Sequence, residues 1–121
     1  MSTNPPGLER TQLLKGVLDS MVLAALAKSD GYGYDVVRRL RSGGLPEVAD
    51  ASVYGTLRRL FAQGLLTSYV VPSEEGPHRK YYGLTPIGGK ALNTQRNDWF
   101  DFSNTVAQIL NGTAFTIGER S

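Results

Sequence analysis

Few residues in this chain are equipped for covalent chemistry. Its 121 residues include no cysteine and one histidine, His78. Without cysteine there is no disulfide, no thiolate metal site and no thiol nucleophile. The lone histidine stands between Pro77 and Arg79 in a loop-forming stretch. That setting argues against a histidine metal site or a Ser–His–Asp triad, and suits a surface residue or a phosphate contact. No paired carboxylates recur at helical spacing beside an apolar cleft. No catalytic residue, metal ligand or cofactor is therefore expected, and the chemistry that remains is binding. Five arginines, at positions 38, 39, 41, 58 and 59, fall between residues 32 and 63 against three acids, Asp35, Glu47 and Asp50. Arg79 and Lys80 follow. Cations gathered in one module are what phosphate contacts require.

The elements that must position these side chains follow from apolar periodicity. Residues 8–28 carry Leu14, Val17, Leu18, Met21, Val22 and Ala25 at three- and four-residue spacing, a helical stripe stopped by Ser29-Asp30-Gly31. Residues 32–42 predict a shorter helix, with Val36, Val37 and Leu40 inward and Arg38, Arg39 and Arg41 on its solvated side. Gly43-Gly44-Leu45-Pro46 is a turn by composition. Residues 51–63 predict a third helix with Val53, Leu57, Leu60 and Phe61 as one buried stripe. Asp50 is its expected N-cap and Gly64 its stop. The opposite surface then displays Ser52, Tyr54, Gly55, Thr56, Arg58 and Arg59. Residues 65–71 and 80–84 read as the two strands of an antiparallel hairpin around a loop at 72–77. Thr85 and Pro86 open a last helix as N-cap and first helical residue, and it runs to about Asn111. Within it Leu92, Trp99 and Val106 are seven apart, as are Phe102 and Ile109, which makes a helix–helix seam with Gln95 as its one polar member.

Helix, helix, helix, hairpin, helix is the order of a winged helix-turn-helix. In that fold the second helix of the pair enters the major groove and the hairpin is the wing. The expected class is mostly α, with a two-stranded wing and a long C-terminal helix. Residues 1–7, polar and containing Pro5-Pro6-Gly7, read as a disordered arm without the pattern of a signal peptide. Residues 8–84 form the expected DNA-binding domain, 85–111 a dimerisation helix and 112–121 a flexible tail. The longest apolar-rich stretch, residues 21–27, is about a third of a membrane span, so no membrane partner is expected and the location is cytoplasmic. The net charge of +2 is mild. Its placement says more: residues 93–121 hold two basic residues and three acidic ones, so the positive excess belongs to the reading module.

Three segments in order resemble the PadR family of bacterial winged-helix transcriptional regulators. Gly31-Tyr32-Gly33-Tyr34-Asp35 is similar to the family's Gly-Tyr segment opening the second helix. Ser52-Val53-Tyr54-Gly55-Thr56-Leu57-Arg58-Arg59-Leu60, followed by Gly64-Leu65-Leu66, resembles its recognition helix. Arg79-Lys80-Tyr81-Tyr82-Gly83-Leu84-Thr85-Pro86-Ile87-Gly88 resembles its wing strand running into the last helix. The resemblance covers roughly residues 11–110. The single last helix is similar to the short subfamily, in which that helix mediates dimerisation and some members sense drugs through paired tryptophans. Trp99 matches that tryptophan. Two positions depart from the pattern. Ala49 stands where the family has a Ser or Asn cap, and Trp99 is flanked by Asp98, Phe100, Asp101 and Phe102, acidic company that favours cationic ligands.

The resemblance implies a homodimeric repressor on double-stranded DNA with a near-palindromic operator, half-sites about 34–36 Å apart. Tyr34, Ser52, Tyr54, Thr56, Arg58, Arg59, Arg79 and Lys80 are the expected DNA contacts. Leu14, Leu18, Leu92, Trp99, Phe102, Val106 and Ile109 are the expected dimer interface. Trp99 and Phe102 are the expected ligand contacts for a planar aromatic or cationic effector. The alternative is a winged-helix module that binds protein and not DNA.

Overall fold

The third predicted helix is the centre of the fold. It runs Asp50–Ala62 and buries Val53, Leu57 and Leu60, three of the four residues of its expected stripe. In the computed structural model, which describes residues 5–113, it is α4 of five helices. The others are α1 (Arg10–Leu14), α2 (Leu18–Lys28), α3 (Gly33–Ser42) and α5 (Pro86–Asn111). Three strands complete the order: β1 (Gly31–Tyr32), β2 (Leu66–Val71) and β3 (Arg79–Leu84). Residues 1–4 of the expected arm and 114–121 of the expected tail lie outside the described residues.

One core joins Val22, Leu23 and Leu26 of α2 to Val36, Val37 and Leu40 of α3 and to the α4 stripe. Leu66, Tyr82 and Leu92 close it from β2, β3 and α5. The winged helix-turn-helix layout is as the sequence predicts, with two differences. The first helix is broken: α1 ends at Leu14, α2 starts at Leu18, and Val17 between them has φ −136° and ψ −2°. Gly16 disfavours helix by about 1 kcal/mol. The break also lets α1 turn aside, where Arg10 bonds the Gly44 carbonyl at 2.8 Å and pairs with Glu47 at 2.9 Å in the α3–α4 link. The second difference is β1, whose two residues pair with β3, so the wing belongs to a three-stranded antiparallel sheet of order β1-β3-β2.

Both glycine stops act through left-handed backbone. After α3, Gly44 has φ +117°; Gly44 N–H bonds Arg41 O (3.2 Å) and Leu45 N–H bonds Leu40 O (3.1 Å). After α4, Gly64 has φ +80°; Gly64 N–H bonds Phe61 O (3.0 Å) and Leu65 N–H bonds Leu60 O (3.0 Å). These paired bonds form a Schellman closure, which satisfies the last carbonyls and turns the chain sharply. The C-terminal ends of α3 and α4 are thus both set by a residue without Cβ. At the other end of α4 the expected N-cap moves by one. Ala49 takes that place without a side-chain cap, and Asp50 is the first helical residue. An acid is favoured there by the helix dipole, and Asp50 also accepts from Arg41.

The start of α5 follows the prediction. Thr85 Oγ1 accepts from Gly88 N–H at 3.0 Å and donates to Gly64 O at 2.8 Å, while Pro86 occupies the first turn. Gly88, costly on propensity alone, has a packing reason. A Cβ there would collide with the Leu65 carbonyl oxygen, so only glycine lets α5 cross the α4–β2 link so closely.

Candidate nucleic-acid interface

Five arginines on α3 and α4 have five different environments, and three are committed within the chain. Arg39 donates to the carbonyls of Ala25 (3.0 Å), Ser29 (2.7 Å) and Asp30 (3.1 Å), where α2 ends and leaves acceptors unpaired. Arg41 donates to Val48 O and to Asp50. Arg59 makes a two-pronged pair with Asp19 of α2 at 2.6 and 2.9 Å. Its guanidinium is therefore engaged on the α2 side, in a pair that stays half-exposed. Arg38 and Arg58 have no hydrogen bond or ion pair among the described residues. Arg38 lies 5.9 Å from the Tyr34 ring centre.

On α4 the outward line is Ala51, Gly55 and Arg58, spaced i, i+4, i+7. Arg58 is exposed there, and a Cβ on Gly55 would meet nothing closer than the Arg58 side chain at 3.9 Å. The small residues leave room for the helix to approach a groove floor. Gly55 and Ala51 carry no side-chain chemistry of their own, and only their spacing from Arg58 marks both as part of this surface. Ser52 is exposed on the α1 flank, bordering a hollow with Leu14 and Leu18. Thr56 is only 4 % exposed. It falls on the core side of α4, so it is a packing residue and not a DNA contact. Tyr54 is half-buried against Gly33, where any Cβ would strike its ring. Phe61 departs from its predicted burial at 43 % exposed, covered in part by the Lys80 ammonium 5.3 Å from its ring centre.

These groups border one open cleft of about 460 Å³ between the start of α3, α4 and the wing. Tyr34, Tyr54, Arg58, Arg79 and Lys80 all line it. Tyr34 is exposed, Arg79 sits over the Tyr32 ring at 4.6 Å, and Lys80 lies between Phe61 and Tyr82. The cleft thus gathers three cations and several phenols, a lining able to hold phosphate oxygens and to hydrogen-bond base edges. His78 is exposed in the wing loop nearby.

A model of the PadR-like family of transcriptional regulators matches residues 22–94, more than half of the chain. The chain belongs to that family. Among solved structures, it is similar to a PadR-like transcriptional regulator from Bacillus cereus, with 33 % identity, 84 % of this chain and 99 % of that one covered, and a TM-score of 0.73. It is also similar to a PadR family regulator from Eggerthella lenta, with 31 % identity, coverage of 86 % and 90 %, and a TM-score of 0.78. An uncharacterised protein of Lysinibacillus sphaericus is 25 % identical over 105 residues, covering 85 % of this chain and 96 % of that protein. The protein is accordingly a DNA-binding transcription regulator, and its family is one of regulators and not of enzymes.

The expected dimer surface is divided by burial. In this PadR-like regulator Leu92, at 6 % exposed, and Leu14 are covered within the chain itself, and Leu18 packs partly against the core. Those three pack within their own chain, Leu18 in part. Trp99, Phe102, Val106 and Ile109 are exposed, Trp99 at 43 %. Gln95, the polar member of the seam, accepts from Ser20 Oγ at 2.6 Å and so faces α2 of its own chain. Hollows of about 250 and 230 Å³ lie on either side of Trp99. The first is shared with Ser20, Met21 and Arg96, the second with Gly16, Asp98 and Phe102. Among the described residues, no helix is long and apolar enough to cross a membrane.

Proposed function

We propose that this regulator is a cytoplasmic homodimeric repressor that reads a near-palindromic operator and releases it when a planar aromatic cation binds beside Trp99. Residues 8–84 serve as the reading domain, with Tyr34, Ser52, Tyr54, Arg58, Arg79 and Lys80 meeting DNA. Residues 85–111 serve as the dimerisation helix. The observation that carries this reading is the free half of α5. From Arg96 to Asn111 every residue but Ser103 is exposed, including Trp99, Phe100, Phe102, Val106, Ile109 and Leu110. A helical segment of this length is marginal alone in water, and an apolar stripe along it needs cover. A second copy offers the same stripe under two-fold symmetry. The flat indole with an acid beside it suits a planar cation.

Sedimentation should give a dimer, and gel shift on the DNA upstream of its own coding sequence should give a salt-sensitive complex. A folded monomer, or no shift at low salt, overturns the reading. Because the chain has one tryptophan, its fluorescence reports this site alone. A planar cationic dye should quench it and weaken the DNA complex together. An effector must favour one arrangement of the two reading domains to do so.

A further inference from the structure

The outer face of the wing carries a continuous stack that the DNA-reading role does not by itself require. Tyr32 on β1 and Tyr69 on β2 are both the register partners of Tyr81 on β3. The three rings therefore share one face of the sheet. Tyr81 stacks on Tyr69 at 5.8 Å and 23°, and meets Tyr32 at 5.6 Å and 47°. Arg79, two residues before Tyr81 on the same face, lies over the Tyr32 ring at 4.6 Å. At the far end of the stack the Tyr69 hydroxyl donates to Asp30 Oδ2 at 2.6 Å. Asp30 is the residue before β1, and its own backbone carbonyl accepts from Arg39 of α3. Gly83 makes the seat for this acid, since a Cβ there would collide with the Asp30 carboxylate.

We propose that the Asp30–Tyr69 bond is a latch that fixes the wing against the helices and thereby positions Arg79 for a DNA phosphate. This latch matters to binding because, on the function proposed above, the wing faces DNA. β2 is anchored in the core only at its first residue, Leu66, so the outer part of the hairpin can bend about that foot. The latch ties the outer strand, β2, across β3 to the α2–β1 turn, and so removes that freedom. The ring stack then carries the constraint from Tyr69 to Tyr32, and Tyr32 holds the Arg79 guanidinium by cation–π contact. An arginine ordered before binding has less rotamer freedom to lose at the interface. Tyr69 and Asp30 are positioning residues, and Arg79 is the residue that touches DNA.

Tyr69→Phe tests this without changing charge or the ring stack. The probe is a labelled duplex of the protein's own upstream region, titrated at several salt concentrations with wild type, Tyr69→Phe, Arg79→Ala and the double variant, each first shown folded by circular dichroism. Arg79→Ala should lower the slope of log affinity against log salt by about one, the signature of a lost phosphate contact. Tyr69→Phe should weaken binding by about 3- to 10-fold and lower the slope in the same direction, and the double variant should be no weaker than Arg79→Ala alone. A purely structural role for Tyr69 moves the melting temperature and leaves the slope intact. The latch is overturned if Tyr69→Phe keeps the wild-type slope, or if its loss adds fully to that of Arg79→Ala. If Arg79→Ala itself keeps the wild-type slope, the DNA-facing reading of the wing falls, and the latch with it.

Discussion

Arg58 and Arg59 are neighbours in sequence and opposites in circumstance. Arg59→Ala should leave the salt slope of DNA binding unchanged and cost at most about 1 kcal/mol in urea unfolding, since its pair with Asp19 is exposed. Arg58→Ala should keep wild-type stability and lower the slope by about one. Equal effects of the two on DNA would contradict the division drawn between them. Their sequence context could not separate them, because the decision is made by Asp19, forty positions away. Likewise, the polar type of Thr56 suggests surface, whereas helical phase puts it between Val53 and Leu60, on the buried side. Arg39 falls on the solvated face by pattern, yet it closes the end of α2, and no local pattern announces such a long-range cap. At Tyr69, bonding to the Asp30 carboxylate raises the phenol above its ordinary value of about 10. A raised acid pKa favours the protonated folded form. The contribution is present in full below pH about 10 and is lost as pH rises through the folded value. Phenolate absorbance should show one tyrosine ionising late in wild type and missing from Tyr69→Phe.

At the scale of elements, the helices and hairpin were readable because each buries a single apolar stripe with clear stop residues. The last helix was the plainest, with Thr85 and Pro86 at its start as written. Two features escaped. The strand β1 is two residues long, too short to show a period of two, and it exists because β3 offers it an edge. The break before α2 had its signal in Gly16, but the force that turns α1 aside comes from Arg10 reaching Gly44 and Glu47. The crossing of α5 over the α4–β2 link makes its own prediction. Gly88→Ala should destabilise by about 1–3 kcal/mol, as overpacking against fixed backbone does, in urea unfolding at constant protein concentration. Gly89→Ala, where a Cβ meets open space, should stabilise or be neutral. Reversal of that order would mean α5 does not dock as described.

For the whole molecule, the division of labour runs along the chain: a domain closed on its own core and a helix whose outer half, among the described residues, is exposed. The stripe of Trp99, Phe102, Val106 and Ile109 follows a seven-residue repeat, and all four are exposed. That Leu14 and Leu92 are covered within the chain is not legible, because apolar spacing shows a stripe without saying what will cover it. Ile109→Asp, at 64 % exposed, should leave the reading head folded, shift sedimentation to the monomer and weaken operator binding by well over tenfold, since a monomer loses the avidity of two half-sites. A dimer of unchanged strength would place the interface elsewhere. The free half of α5 also reaches beyond structure into dosage. If a second copy orders it, melting temperature must climb with protein concentration, and promoter occupancy must rise faster than linearly with the number of molecules in the cell. A bare stretch of helix then sets how sharply the controlled genes respond when the supply of their regulator changes.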